Sequence, residues 1–337
     1  MINRSPSISV IVPAKNEERR IGLCLEALAA QSYARESFDV IVVDNGSEDR
    51  TVAISQGFNE KLRLRILSSQ HGTISALRNA GVNLSSGELL AFLDADCIPY
   101  PDWLQKAAHI LCSDSSGIIG AHYSVPDDST WVGKTWNTYQ EACKIGDVSH
   151  VPAGDLLIPR TTFLSIGGFD ETIQTNEDAE LCERARAKGF SVRAHKELRV
   201  VHLGTAQTLK GFYRKQRWHG SHVFGVFLRE LPRLRNVKAV AFAVYFGLWS
   251  LALLASIVFA VASGGWMLPL FPVAAILSLP IGMAIFFIAR QRSRWADIWP
   301  LAILYLTYGF ARAACLFHWP KKMSAGVTPT PSVPANR

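Results

Sequence analysis

The chain has no C-x-x-C pair; its six cysteines are scattered over 337 residues. Zinc sites and disulfide frameworks both rest on closely spaced cysteines, so the pattern speaks against either and fits a reducing compartment. A secretory leader is also missing from the opening residues: 1–9 have no apolar core, and the apolar run 8–12 is too short to serve as one. The globular N-terminal part is therefore expected to stay in the cytoplasm. Charge is what the C-terminal third has little of. Segments 237–262 and 266–289 are almost uncharged, and each reaches the ~20 apolar residues that span hydrocarbon. They read as two membrane helices. Segment 298–317 is apolar too but carries Arg312, which leaves its uncharged core short; it either crosses tilted or lies at the interface with Arg312 snorkelling.

Basic residues gather where those apolar segments begin. Lys210, Arg214, Lys215, Arg217, Arg229, Arg233, Arg235 and Lys238 precede or open the first span, as cytoplasmic flanks do. Arg290, Arg292 and Arg294 fall on the same side after two crossings, whereas Lys321 and Lys322 fall outside if the third segment spans. The net charge of +7 fits an anionic lipid surface better than nucleic acid. Residues 324–337 are rich in Pro, Thr and Ser and read as a disordered tail. The expected organisation is a globular domain over 1–205, a basic amphipathic interface segment over 206–236, a membrane region of two or three helices over 237–318, and a tail over 319–337.

Within the globular part, short continuous apolar runs at 8–12, 40–43, 64–67 and 89–93 have the character of strands buried on both faces. Helical spacing fills the intervals at 17–31, 50–56 and 74–83. Strands alternating with helices imply an α/β fold with a mostly parallel sheet covered on both sides, whose ligands bind beyond the carboxyl ends of the strands. Asp44 and Asp94 stand at such ends. Residues 113–150 are less regular, with Pro126 and the aromatic positions Trp131, Trp136 and Tyr139, and are assigned to the acceptor side.

Four turns carry the chemistry. Pro13-Ala14-Lys15-Asn16-Glu17 follows the first run: Pro13 is expected to stop the strand, and Asn16 to cap a helix that begins at Glu17. Asp44-Asn45-Gly46-Ser47-Glu48-Asp49-Arg50-Thr51 is turn sequence, with Ser47 or Asp49 able to cap a helix. Asp44 itself could accept hydrogen bonds from a base or a ribose. Arg78, in Arg78-Asn79-Ala80-Gly81, either lies on a solvated helix face or reaches a phosphate as a planar donor. Asp94-Ala95-Asp96 is either a capped turn or, if the backbone is extended, a pair of carboxylates on one side. Such a pair suits Mg²⁺ or Mn²⁺, which combine one or two carboxylates with substrate phosphates.

Taken in order, P-x-K-N-E, V-D-N-G-S-x-D-x-T, R-N-x-G and L-D-A-D resemble the motifs of the family 2 glycosyltransferases over about residues 7–220. The resemblance implies a GT-A fold, a nucleotide-sugar donor and a divalent cation. It places Pro13, Asn16, Glu17, Asp44, Arg78, Asp94 and Asp96 at the donor, with Asp96 and Asp94 holding the metal. Downstream, Gly167-Gly168-Phe169-Asp170-Glu171 leads into a helix opened by Glu177-Asp178 and ended at Gly189. Asp178, Leu181, Cys182 and Ala185 form one stripe, so Asp178 is either a partner for the helix dipole or a base aimed into a cleft. The helix N-terminus would keep it ionised at neutral pH. The resemblance favours the base, because Glu177-Asp178 matches the pair whose aspartate deprotonates the acceptor. Glu180 could hydrogen-bond the acceptor or sit in solvent.

Residues 198–203 alternate as a strand. His202 is either structural or, as some members of the family use it, a further metal ligand. Tyr213–Gly220 resembles the segment at the membrane surface, where Arg217 and Trp218 would close over diphosphate and acceptor. Arg214 departs from the Q-x-x-R-W of processive synthases and weakens that alternative. A second alternative is a non-catalytic nucleotide-sugar-binding scaffold, against which stands the retention of Asp44, Asp94, Asp96 and Asp178. The expected activity is inverting transfer of a hexose to an amphiphilic acceptor, preferably a lipid-linked glycan. The expected setting is cell-surface polysaccharide or glycoconjugate synthesis by a multi-pass membrane protein, in the inner membrane if the source is bacterial.

Overall fold

A computed structural model describes residues 5–69, 72–113, 117–141, 145–173, 175–220, 237–291 and 294–316. Arg229, Arg233, Arg235, Arg292, Lys321, Lys322 and the C-terminal tail lie outside the described residues. The strands are β1 Ile8–Ala14, β2 Phe38–Asp44, β3 Leu64–Ser68, β4 Leu89–Leu93, β5 Cys97–Pro99, β6 Ile118–Gly120, β7 Gly146–Asp147, β8 Asp155–Pro159, β9 Val192–Ala194 and β10 Val200–His202. The helices are α1 Ile21–Ala29, α2 Thr51–Gln56, α3 Ile74–Leu84, α4 Trp103–Ser113, α5 Trp131–Glu141, α6 Arg160–Ser165, α7 Glu177–Ala187, α8 Leu209–Gly220, α9 Val237–Ser263, α10 Leu270–Gln291 and α11 Ile298–Leu316. Two compact units result: Met1–Phe212 with Ala284–Leu304, and Tyr213–Met283 with Tyr305–Arg337.

The first unit is built on an eight-stranded sheet of order β3-β2-β1-β4-β8-β6-β9-β7. β1, β2, β3 and β4 are parallel, and β8 runs antiparallel to β4. This is the mostly parallel, helix-covered sheet that the apolar runs imply. Alternation sorts its residues between two cores. Val10 and Val12 pack with Ile21, Leu25, Leu28 and Trp103 on one side. Ile11, Ile41 and Phe92 pack with Leu77, Leu156, Phe163 and Leu181 on the other. The strand order reverses between β1 and β4, which opens the crevice where such sheets bind ligands.

Two local expectations are corrected. Pro13 does not stop β1, which runs on to Ala14 in register with Asp44. Pairing with β4 ends earlier, at Ile11–Phe92, so Pro13 faces only one partner strand and its missing N–H is tolerated. Residues 113–150 are also more regular than their sequence suggests. α5 forms there, with Trp136 against Phe212 and Tyr139 at ring-centroid distances of 4.8 and 5.1 Å.

A second, two-stranded sheet pairs β10 antiparallel with β5, His202 opposite Cys97. In this way the strand that carries His202 folds back beside the turn after β4. The second unit contains α9 and portions of α10 and α11. Three helical stretches, Val237–Ser263, Leu270–Gln291 and Trp295–Leu316, are long and apolar enough to cross a membrane. The third reaches 22 residues because a 3-10 turn at Trp295–Asp297 leads into α11. Within the second unit Arg312 Nη2 donates to Gln216 Oε1 at 3.4 Å, and its guanidinium lies 4.7 Å from the centre of the Tyr308 ring.

Asp155 opens β8 at zero exposure, accepting from Trp103 Nε1 at 2.8 Å and Ala121 N at 3.1 Å. Burial pushes its carboxyl from the ordinary 3.8 up to about 8, against the lowering by both hydrogen bonds. The folded state therefore holds a proton that the unfolded chain releases. Its contribution is full below the ordinary value, declines as pH rises, and is gone above about 8. Thermal unfolding in detergent should show stability falling from about pH 5 to about pH 8, with a shallower fall in Asp155→Asn.

Candidate active site

Two loops at the carboxyl ends of β1 and β2 are laced together. Asn16 adopts the left-handed region, φ 54°. Its N–H donates to Ser47 Oγ at 2.9 Å and its Oδ1 accepts from Glu48 N at 2.9 Å. Glu17 N donates to Thr51 Oγ1 at 2.7 Å and Glu18 N to Asp49 Oδ2 at 3.0 Å. Asn16 is thus a loop clamp and not the expected helix cap; α1 begins at Ile21, with Arg20 before it and no side-chain cap. Ser47 is used across the two loops and does not cap α2, whose cap position is Arg50, whereas Asp49 serves both: Oδ2 binds across the loops and Oδ1 accepts from Thr51 N, the first amide of the helix, at 2.9 Å. The lacing holds Asp44 at 3% exposure with Oδ2 accepting from Ser47 N at 3.1 Å. Its Oδ1 is buried and has no hydrogen-bond partner. A buried acceptor without a donor is costly, and a ligand N–H or hydroxyl would satisfy it.

Arg78 is the hub of the crevice. It lies on α3 at 2% exposure, on neither a solvated face nor an open phosphate position. Nη1 donates to Glu177 Oε1 at 2.6 Å and Nη2 to Asp94 Oδ1 at 2.8 Å. The next residue, Asn79, clasps the glycine turn: Nδ2 donates to Phe169 O and Glu171 Oε1, each at 2.9 Å, while Oδ1 accepts from Phe169 N at 3.0 Å. Gly168 has φ 69°, and a Cβ there would stand 3.0 Å from Asn79 Oδ1, so the turn requires glycine. Arg78 and Asn79 together tie α3 to the loop that launches α7.

Of the two readings open for Asp94 and Asp96, a capped turn or a pair on one side of an extended strand, the structure forms the turn. β4 ends at Leu93, and Cys97 N donates to Asp94 O at 3.0 Å, so the pair occupies a turn. The turn divides them: Asp94 faces Arg78, whereas Asp96 Oδ2 faces Arg20 Nη1 at 3.1 Å and His202 Nε2 at 3.5 Å. His202 arrives through the β5–β10 pairing and stacks on Tyr123 with ring centroids 4.9 Å apart. Thr205 Oγ1 donates to His202 O at 3.3 Å and lies 2.9 Å from His202 Nδ1, which orients Nε2 towards Asp96. Asp96, Cys97 and His202 offer ligand atoms within 4.8 Å of one another. A carboxylate and an imidazole held this way fit a divalent cation such as Mn²⁺ or Mg²⁺. Two glycines leave the space: a Cβ at Gly204 would collide with Asp96 Oδ2, and one at Gly154 would stand 2.6 Å from Asp94 Oδ2.

α7 supplies the remaining acids. Leu181, Cys182 and Ala185 are fully buried, as the stripe requires. Asp178 Oδ1 accepts from Ala179 N at 2.7 Å and Oδ2 from Ala153 N at 3.3 Å. Burial raises the Asp178 carboxyl above its ordinary value, outweighing those amides and Arg78, with Asp94 adding to the rise. The helix start alone therefore does not set its charge, contrary to expectation. Glu177 is also raised by burial, with Arg78 opposing. Glu180 is neither free in solvent nor open to a ligand. It pairs with Arg184, Oε1 to Nε at 2.6 Å and Oε2 to Nη2 at 2.7 Å. Arg217 and Trp218 are on the exposed part of α8 in the second unit, Trp218 at 59% exposure.

The family model "Glycosyl transferase family 2" matches residues 9–199, the stretch that contains every acid of this crevice. The chain belongs to this family. Glycosyltransferase AglE of Haloferax volcanii is 29% identical over 255 residues, covering 73% of this chain and 83% of that protein. Validoxylamine A glucosyltransferase of Streptomyces hygroscopicus subsp. limoneus is 27% identical over 229 residues, covering 57% of this chain. The chain spans only half the length of that relative. Among solved structures, the mannosyltransferase PcManGT from Pyrobaculum calidifontis, in complex with GDP-Man and Mn²⁺, aligns with TM-score 0.60. It covers 94% of this chain and 89% of its own at 18% identity, which supports the common fold.

Arg20, Tyr123, Gly154, Gly204 and Thr205 belong to the transferase's crevice without having been legible as site residues. Except for Thr205, beside His202 in the chain, each reaches the crevice through a contact between distant residues, which no local pattern marks. Replacing Arg78 by Met should leave two acids uncompensated and lower stability by on the order of 3 kcal/mol, measurable by denaturant unfolding. Glu177→Gln, which keeps an acceptor for Arg78, should lose clearly less.

Proposed function

We propose that this transferase moves a hexose, with inversion, from a nucleoside-diphosphate sugar to an amphiphilic, lipid-linked acceptor. The observation that carries the reading is a set of three differently prepared acids, Asp44 at the end of β2, Asp96 in the turn after β4 and Asp178 at the start of α7. Asp44 has a buried oxygen in need of a donor, which suits a base N–H or ribose hydroxyl. Asp96, with His202 beside it and Asp94 adjacent, would hold Mg²⁺ or Mn²⁺. When bound, such an ion would offset charge on the departing diphosphate. The Mn²⁺ and GDP-Man of the mannosyltransferase that shares the fold agree with this assignment.

Asp178 is the general base. Inversion needs a carboxylate that takes the acceptor hydroxyl's proton on the face opposite the leaving group. Its raised affinity for protons makes it a stronger base than an exposed aspartate, while Ala153 N and Ala179 N hold its two oxygens in place. Glu177 serves by fixing Arg78, which in turn orients Asp94. Pro13, Asn16 and Glu17 shape the donor side of the crevice, Asn16 by clamping the loop that carries Asp44.

The lipid-linked acceptor rests on three helices of membrane-spanning length and on the cationic residues of α8, Lys210, Arg214, Lys215 and Arg217. The protein is then multi-pass, with its catalytic unit in the cytoplasm, and acts in cell-surface polysaccharide or glycoconjugate synthesis.

Asp178→Asn should reduce kcat by roughly 10²–10⁴ with donor affinity retained, as read by calorimetry and single-turnover transfer. Full activity in the purified variant would overturn the base assignment. Because a base works only when ionised, kcat should rise with pH along a limb displaced above the ordinary 3.8 of aspartate, the direction set by burial. For the acceptor, purified enzyme should transfer to polyprenyl-linked sugars and far less to the same sugars free in solution. Equal transfer to both would argue against a lipid-linked substrate.

A further inference from the structure

Arg20 stands where the proposed cation has to go. It ends the loop after β1, and its Nη1 lies 3.1 Å from Asp96 Oδ2 and 3.4 Å from Glu17 Oε2. The same Asp96 oxygen faces His202 Nε2 at 3.5 Å. A guanidinium and a divalent ion would therefore compete for one oxygen. The surroundings are dense in acid: burial raises the Glu17 carboxyl, with Asp96, Asp49 and Asp94 adding to the rise and Arg20 opposing it. Arg20 is thus a monovalent counterion in a crevice prepared for more positive charge.

The two arginines of the crevice differ in freedom. The Arg78 side chain is 3% exposed and held by two short contacts to Asp94 and Glu177. The Arg20 side chain is 38% exposed and reaches its carboxylates through a single nitrogen. Only Arg20 can leave without stranding a buried charge.

We propose that Arg20 is an exchangeable cation: it occupies Asp96 until a divalent ion takes that oxygen, and then pairs with the diphosphate of the donor. This rests on the metal-diphosphate reading of Asp96. A guanidinium displaced from a carboxylate finds in a diphosphate the planar oxygen edge it binds well. Metal and nucleotide would consequently reinforce each other, because each favours the same position of Arg20.

The test is Mn²⁺ binding followed by electron paramagnetic resonance on the full chain in detergent, with and without UDP or GDP. Arg20→Ala, or Arg20→Gln should the alanine variant not fold, is expected to bind Mn²⁺ alone about fivefold more tightly, the scale of a partly exposed ion pair. The tightening of Mn²⁺ binding by nucleoside diphosphate should shrink by a similar factor. Arg20→Lys should stay close to wild type in both. Unchanged or weaker binding of Mn²⁺ alone in both uncharged variants would overturn the exchange while leaving the metal site standing. Wild-type protein that binds no Mn²⁺ with either nucleotide would overturn the metal reading and this inference with it.

Discussion

The crevice depends on one buried guanidinium. Arg78 bridges Asp94, at the end of the central strand β4, and Glu177, at the start of α7. These residues are far apart in the chain, and two acids brought together without a cation would repel and resist burial. With Arg78 between them, the loop after β4 and the helix bearing Asp178 are set in one geometry. Asn79 extends the tie to the Gly167-Gly168-Phe169 turn, and the Phe169 ring lies 5.4 Å from the Arg78 guanidinium. Removing that charge would loosen the turn after β4 and the start of α7 together.

The division of Asp94 from Asp96 follows from the same contact. One carboxylate is spent on Arg78, so the other is left to face His202 and Arg20. A motif that reads as a symmetrical pair of acids is asymmetric in the folded protein. Glycine completes the arrangement, since a side chain at position 154 or 204 would fill the space beside either acid.

Charge and burial also separate the three acids at the start of α7. Its first turn carries Glu177, Asp178 and Glu180, an acidic cluster of the kind that favours a helix N-terminus. Only Asp178 has neither a guanidinium nor an ammonium as hydrogen-bond partner; Glu177 is held by Arg78 and Glu180 by Arg184. Three similar residues in one turn thus have three different environments.

Much of this was readable in the residues. The apolar runs specify β1 to β4 because a strand buried on both faces must be apolar throughout, and acids at their ends mark the crevice because parallel sheets bind ligands there. The apolar C-terminal segments announce membrane-length helices by the same logic of burial. What the sequence could not decide was partnership across distance. Glu180 and Asp178 look alike until Arg184 claims one of them. Asn16 looks like a cap until Ser47 and Glu48 claim it. Arg20 carries no local mark of a site, and its role arises only where β5 and β10 bring Asp96 and His202 together beside it. Local pattern determines which segments form and which faces they bury, whereas the state of each charged group depends on neighbours that only tertiary packing supplies.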